Sequence, residues 1–140
     1  ASPSIATLVD ILDALGTDLK EFFTEPMVEK IVFTENEFFE SRNETLGYTV
    51  NWVIPNAQKN RMEPILLTLP QGAKSKSYGP HEAEEFGYVL SGSVVLHIGE
   101  NAHVVRRGQT FYLTGDSVHY IENQNKTVAN VLWVSCPPVF

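Results

Sequence analysis

The sequence predicts a mainly β fold, an antiparallel sandwich or barrel preceded by two short α-helices. Three observations lead there. From about Val28 onward, short runs rich in β-branched and aromatic residues recur at roughly 8–12 residue spacing. Gly-, Pro- and Asn-containing turn signals punctuate those runs. No helical pattern separates them, which argues against a parallel α/β sheet.

The elements follow in order. Ser2 is a good N-cap and Pro3 suits the first helical position. Ile5, Leu8, Val9, Ile11, Leu12 and Leu15 then recur at helical spacing, and Gly16 is a natural C-cap. Thr17 can cap a second short helix whose apolar face is Leu19, Phe22 and Phe23. Helices this short need a partner surface to persist. Thr24-Glu25-Pro26-Met27 reads as a linker. The strand candidates are Ile31–Phe33, Tyr48–Ile54, Ile65–Leu69, Phe86–Leu90, Ser93–Ile98, Ala102–Val105, Thr110–Leu113, His119–Ile121 and Asn130–Val134. Pro55-Asn56, Gln71-Gly72, Ser91-Gly92, Gly99-Glu100-Asn101, Arg107-Gly108, Gly115-Asp116 and Asn123-Gln124-Asn125 are the turns between them.

Composition narrows the function. The 140 residues are 43% hydrophobic and 19% charged, so a core can form and disorder is excluded. Ten Lys+Arg against 17 Asp+Glu leave a net charge of −7, a poor balance for gripping phosphates or an anionic membrane. Cys136 is the single cysteine, which rules out an internal disulfide and a multi-Cys zinc module and fits a reducing compartment. No apolar run reaches the ~18 residues of a membrane span. The start is amphipathic and acidic, unlike a secretory signal. A cytoplasmic location is expected, and the Asn-x-Thr sequons at Asn43 and Asn125 read as chance.

Two stretches carry chemistry, Tyr78–Gly92 and Gly108–Asn123. Each places a histidine at or beside the start of a strand. His81 and Glu85 are four apart, and even spacing in an extended segment puts both side chains on one face. A second imidazole from another strand would complete two histidines and one carboxylate. That set leaves coordination positions open and suits Fe(II), Mn or Zn.

Together the two stretches resemble the paired motifs of the cupin superfamily. The first motif runs Gly, five residues, His-x-His, three or four residues, Glu, six residues, Gly. Here Glu85, Gly92 and His81 fit, while Gly79 stands where the first histidine belongs. The second runs Gly, five residues, Pro-x-Gly-x-x-His, three residues, Asn. Gly108, His119 and Asn123 fit, with Thr114 and Asp116 in place of the Pro and Gly. The resemblance implies a cupin jelly roll and makes His81, Glu85 and His119 the candidate metal ligands. Without a metal they are polar groups lining a pocket, hydrogen-bonded to ligand or water. His97 and His103 lack motif context and read as structural or surface residues. Tyr48, Val50 and Trp52 share one strand face, which is pocket wall or plain core. Tyr48 and Trp52 are placed with the ligand pocket. Lys74 and Lys76 precede the first motif and read as a solvated loop.

The His-x-x-x-Glu motif and the ending Trp-Val-Ser-Cys-Pro-Pro-Val-Phe are similar to those of bacterial helix-turn-helix regulators of the lambda-repressor-like (XRE) class, which carry a C-terminal cupin sensor. That likeness implies that residues 1–25 are the last two helices of a DNA-binding domain whose reading helix lies outside this chain, and that 26–140 are the cupin. The implied protein senses a small molecule in the barrel and acts as a homodimer, touching DNA only through the missing helices. No nucleophile–base pair stands beside the motifs to do acid–base work. The alternative is a metal-dependent cupin enzyme, a mononuclear iron oxidase or epoxidase resembling the hydroxypropylphosphonate epoxidases.

Overall fold

Burial alternates along the longest strands, and that alternation builds the interior. In the computed structural model of the chain, residues 30–140 are described. The two expected helices, the 24–27 linker and the domain boundary after residue 25 lie outside them. Phe33–Phe140 form one compact unit. Among the described residues nine strands run in chain order: β1 Phe39–Arg42, β2 Thr49–Trp52, β3 Glu63–Leu69, β4 Glu84–Ser91, β5 Ser93–Ile98, β6 Asn101–Arg106, β7 Thr110–Thr114, β8 His119–Glu122 and β9 Ala129–Cys136. Every pairing is antiparallel. One sheet has the order β1-β2-β3-β9-β4-β7 and the other β6-β5-β8.

β3 and β9 form the centre of the larger sheet, in register from Glu63↔Ser135 to Leu69↔Ala129. Every second residue of each is buried: Glu63, Ile65, Leu67 and Leu69 on β3, and Ala129, Val131, Trp133 and Ser135 on β9. The smaller sheet contributes Val94, Leu96, Val105 and Ile121 to the same core. This two-sheet packing, with two-residue periodicity on each buried face, is the predicted antiparallel sandwich.

The strand expected over Ile31–Phe33 does not form. Ile31 and Val32 are 82% and 77% exposed and lie in irregular backbone. β-branched residues favour a strand only when a neighbouring strand packs against them. β1, which no apolar alternation announced, forms instead. Its four residues are all exposed, and its order comes from the ladder with β2.

Two features draw the chain ends of the core together. Asn123 is fully buried, donating to the Leu69 and Thr127 carbonyls at 2.8 Å each and accepting from Asn125 N–H at 2.9 Å. Glu63 is also fully buried. Its Oε2 accepts from Trp52 Nε1 at 3.1 Å and Gln58 Nε2 at 3.4 Å, and its Oε1 from the backbone N–H groups of Val139 at 3.1 Å and Phe140 at 2.8 Å. The segment after β9 is thereby tied across the end of the barrel.

Candidate metal and ligand site

Glu85 is the second residue of β4, on its buried face, and its partner across the ladder is Ser135 of β9. Ser135 Oγ donates to Glu85 Oε1 at 3.3 Å, which orients the carboxylate and leaves Oε2 for the interior. His119 opens β8, in the opposite sheet. Tyr78 and His119 exchange backbone hydrogen bonds of 2.9 Å in both directions, fixing the loop before β4 against β8.

His81 lies in that loop. Its N–H donates to the Gly115 carbonyl at 2.8 Å, and Gly115 N–H donates to the Ala83 carbonyl at 2.8 Å. A Cβ on Gly115 would come within 2.8 Å of His81 Nδ1, tighter than any real side chain allows. The glycine is therefore required for His81 to stand where it does. Where the second motif lacks its usual turn residues, Gly115 supplies the close backbone approach.

His81, Glu85 and His119 come together as expected. One ligand atom from each lies within 4.8 Å of the others. His119 and Glu85 are fully enclosed, and His81 is partly buried. His119 Nδ1 donates to the Ser117 carbonyl at 3.0 Å, so in the neutral ring the Nε2 lone pair faces the site. His119 Nε2 and Glu85 Oε2 are in ion-pair contact, yet neither forms a hydrogen bond of acceptable geometry, and both ring nitrogens of His81 are also buried without a partner. Burial works against the His119 imidazolium, but the Glu85 carboxylate and the Ser117 carbonyl outweigh it and raise its pKa above the usual imidazole value. Buried nitrogen and carboxylate atoms without partners are what a divalent cation satisfies. The group can hold a metal.

An aromatic wall adjoins the trio. The Tyr78 ring lies 6.0 Å from that of His119, 6.1 Å from Trp133 and 4.9 Å from Phe140. Phe111 meets Trp133 edge-on at 5.5 Å and lies over Gly87, where any side chain would overlap its ring. Burial, then the charges of Tyr48, Glu85 and Glu63, push the Tyr78 phenol up, so it stays a neutral hydroxyl. Outside this wall, a cavity of about 150 Å³ is lined by Tyr48, Val50, Trp52, Tyr78 and Phe140, with Arg42 and Lys76 among its polar lining. Tyr48 and Trp52 thus line a cavity that shares Tyr78 and Phe140 with the aromatic wall. Tyr78, Phe111, Trp133 and Phe140 were not marked by the sequence as site residues. Tyr78 opens the first of the two stretches that carry the motifs.

The other two histidines lie apart from the trio, one in a polar contact and one at the surface. His97 Nε2 sits 2.6 Å from Glu122 Oε1, and its ring stacks on Tyr120 at 4.5 Å. His103 is exposed. Lys74 Nζ approaches Glu122 Oε2 at 3.9 Å.

Comparison with known proteins accords with this geometry. The cupin domain family matches residues 65–135. The chain belongs to the cupin family. It is 28% identical over 144 aligned positions to the HTH-type transcriptional regulator PuuR of Escherichia coli strain K12, covering 99% of this chain and 76% of that one. The cupin domain of an XRE family transcriptional regulator from Enterobacter cloacae superposes with a TM-score of 0.59 at 19% identity, over 66% of this chain and 98% of that one. The Fe(II) form of HppE superposes with a TM-score of 0.65 at 16% identity, over 94% and 76% of the two chains. This cupin is therefore similar to those carried by helix-turn-helix regulators. No helix among the described residues is long and apolar enough to cross a membrane.

Proposed function

We propose that this cupin is the small-molecule sensor of a cytoplasmic helix-turn-helix transcriptional regulator, with residues 1–25 the tail of its DNA-binding domain and 26–140 the sensor. The observation that carries the reading is the enclosed His81–Glu85–His119 group beside an aromatic wall, in a chain whose similarity to PuuR spans 99% of its length. In this reading the three side chains hold one divalent ion, Zn, Fe or Mn. The ion supplies a Lewis-acidic anchor for an oxygen ligand. Tyr48 and Trp52 belong to the outer part of the pocket. The regulator acts as a homodimer, since paired reading heads match paired half-sites. Effector binding biases the dimer between arrangements by no more than its differential affinity for them.

The test has two parts. Elemental analysis of protein purified without chelator or metal-affinity resin should find about one equivalent of metal, lost in His81→Ala/His119→Ala. An effector should then raise the melting temperature without being consumed and change the operator affinity of the full-length regulator. The open coordination positions of the trio also suit a mononuclear iron enzyme. Substrate turnover with dioxygen or peroxide by iron-loaded protein would select that reading and reject the sensor.

A further inference from the structure

Five buried side-chain atoms among the described residues lack a hydrogen-bond partner: both ring nitrogens of His81, Glu85 Oε2, His119 Nε2 and Trp133 Nε1. The first four belong to the trio. The fifth is different in kind, because an indole N–H can only donate and cannot ligate a metal. It needs an acceptor.

Trp133 is fully buried on the inner face of β9, opposite Gly87 and two residues before Ser135, the residue that orients Glu85. Its ring is 6.4 Å from that of His119. The other indole of the molecule, that of Trp52, is already satisfied by Glu63. The remaining buried polar side chains, Glu63, Ser75 and Asn123, are hydrogen-bonded as well. An enclosed donor left unpaired costs free energy that an incoming acceptor recovers. Its place beside the trio makes the occupant of that site the acceptor.

Charge and shape then give the ligand class. A divalent ion held by one carboxylate and two neutral imidazoles leaves one positive charge in an enclosed space, which a monoanion balances. A carboxylate has two oxygens, one for the ion and one for an N–H. Tyr78, Phe111 and Phe140 pack around Trp133, so the surroundings of the donor are apolar and suit an apolar body. We propose that Trp133 Nε1 is the ligand-recognition donor of this site, and that the ligand is a small monocarboxylate with an apolar body, bound through one oxygen to the metal and through the other to Trp133. This rests on the metal-binding reading above.

Acetate is the probe and acetamide its neutral control. In zinc-loaded, ¹⁵N-labelled protein the two tryptophans provide two indole cross-peaks, that of Trp52 serving as reference. Acetate should move the Trp133 cross-peak downfield and saturably while the Trp52 peak stays still, and acetamide should move neither. In cobalt-loaded protein, followed by its visible spectrum, Trp133→Phe should weaken acetate tenfold or more while cobalt affinity is unchanged. A stationary Trp133 peak, equal response to acetamide, or equal acetate affinity in the variant would overturn the proposal while leaving the metal site standing. Failure of the unmutated protein to retain zinc or cobalt would bring down the metal reading and this proposal with it. The cross-peak readout uses unmutated protein, so it decides even if the variant folds poorly.

Discussion

Gly115 shows how one residue without a side chain can place another that has one. Its amide and carbonyl hold the loop that carries His81, and a Cβ there would come within 2.8 Å of the imidazole. Gly115→Ala should therefore weaken metal binding tenfold or more by displacing His81, while core burial is retained. Metal titration alongside thermal melting measures both effects. Glu122 shows a different residue-scale effect. Burial pulls its pKa up, but hydrogen bonds from His97 and Gln124 and the charges of His97 and Lys74 outweigh it, so its carboxyl stands below the ordinary value. A group whose folded pKa is depressed adds stability above its unfolded pKa and loses it as pH falls through the folded one. That contribution should be complete above pH 4.5, the ordinary value, and fade progressively below it. Glu122→Gln should flatten this acid limb, by under about 1 kcal/mol. Urea midpoints at pH 6 and at successive steps below pH 4.5 test it, and a variant with the same pH slope would refute the assignment.

At the scale of elements, β3 and β9 do most of the positioning. β9 holds Trp133 and Ser135 on one inner face, and β3 holds Glu63 and Ile65 beside them. Glu63 gathers donors from Trp52 on β2, from Gln58, and from the backbone after β9. Removing the carboxylate leaves those donors to find water at the end of a packed barrel. Glu63→Ala should cost about 2–4 kcal/mol, and Glu63→Gln less, because an amide oxygen can still accept. Chemical denaturation measures the cost. Release of the 137–140 segment should also make the Phe140 amide exchange with solvent at least tenfold faster. Hydrogen exchange that is unchanged in Glu63→Ala would show that something else holds the segment.

Across the described residues no strand ladder joins the two sheets, and the candidate site draws Glu85 from one sheet and His119 from the other. A ligand that binds there bridges the sheets and is present only in the folded state. Zinc at a hundred times its Kd should therefore stabilise the protein by about 2.7 kcal/mol. Differential scanning calorimetry should show a rise of several degrees in melting temperature, absent in His81→Ala/His119→Ala. An equal rise in that variant would place the binding elsewhere.

The strand pattern, the antiparallel class and the trio were all legible in the linear sequence. Two-residue periodicity marks which face of a strand is buried, and His81, Glu85 and His119 sit at motif spacings that survive without coordinates. What local sequence could not carry was set by contacts between distant segments. Ile31 and Val32 have strand propensity but no strand, whereas Phe39–Arg42 lack the pattern and form one, because pairing with β2 decides it. In the sequence Trp133 is a strand residue and Phe140 the last residue of the ending. Only packing of β9 against β3 and β4, and of the last residues against Glu63, brings an unpaired indole N–H and an aromatic wall beside the three candidate ligands. The sequence by itself determined which residues could bind a metal, since ligand chemistry resides in side-chain type and spacing. The tertiary structure alone decided what surrounds them, because burial and unsatisfied hydrogen bonds are properties of the packed chain.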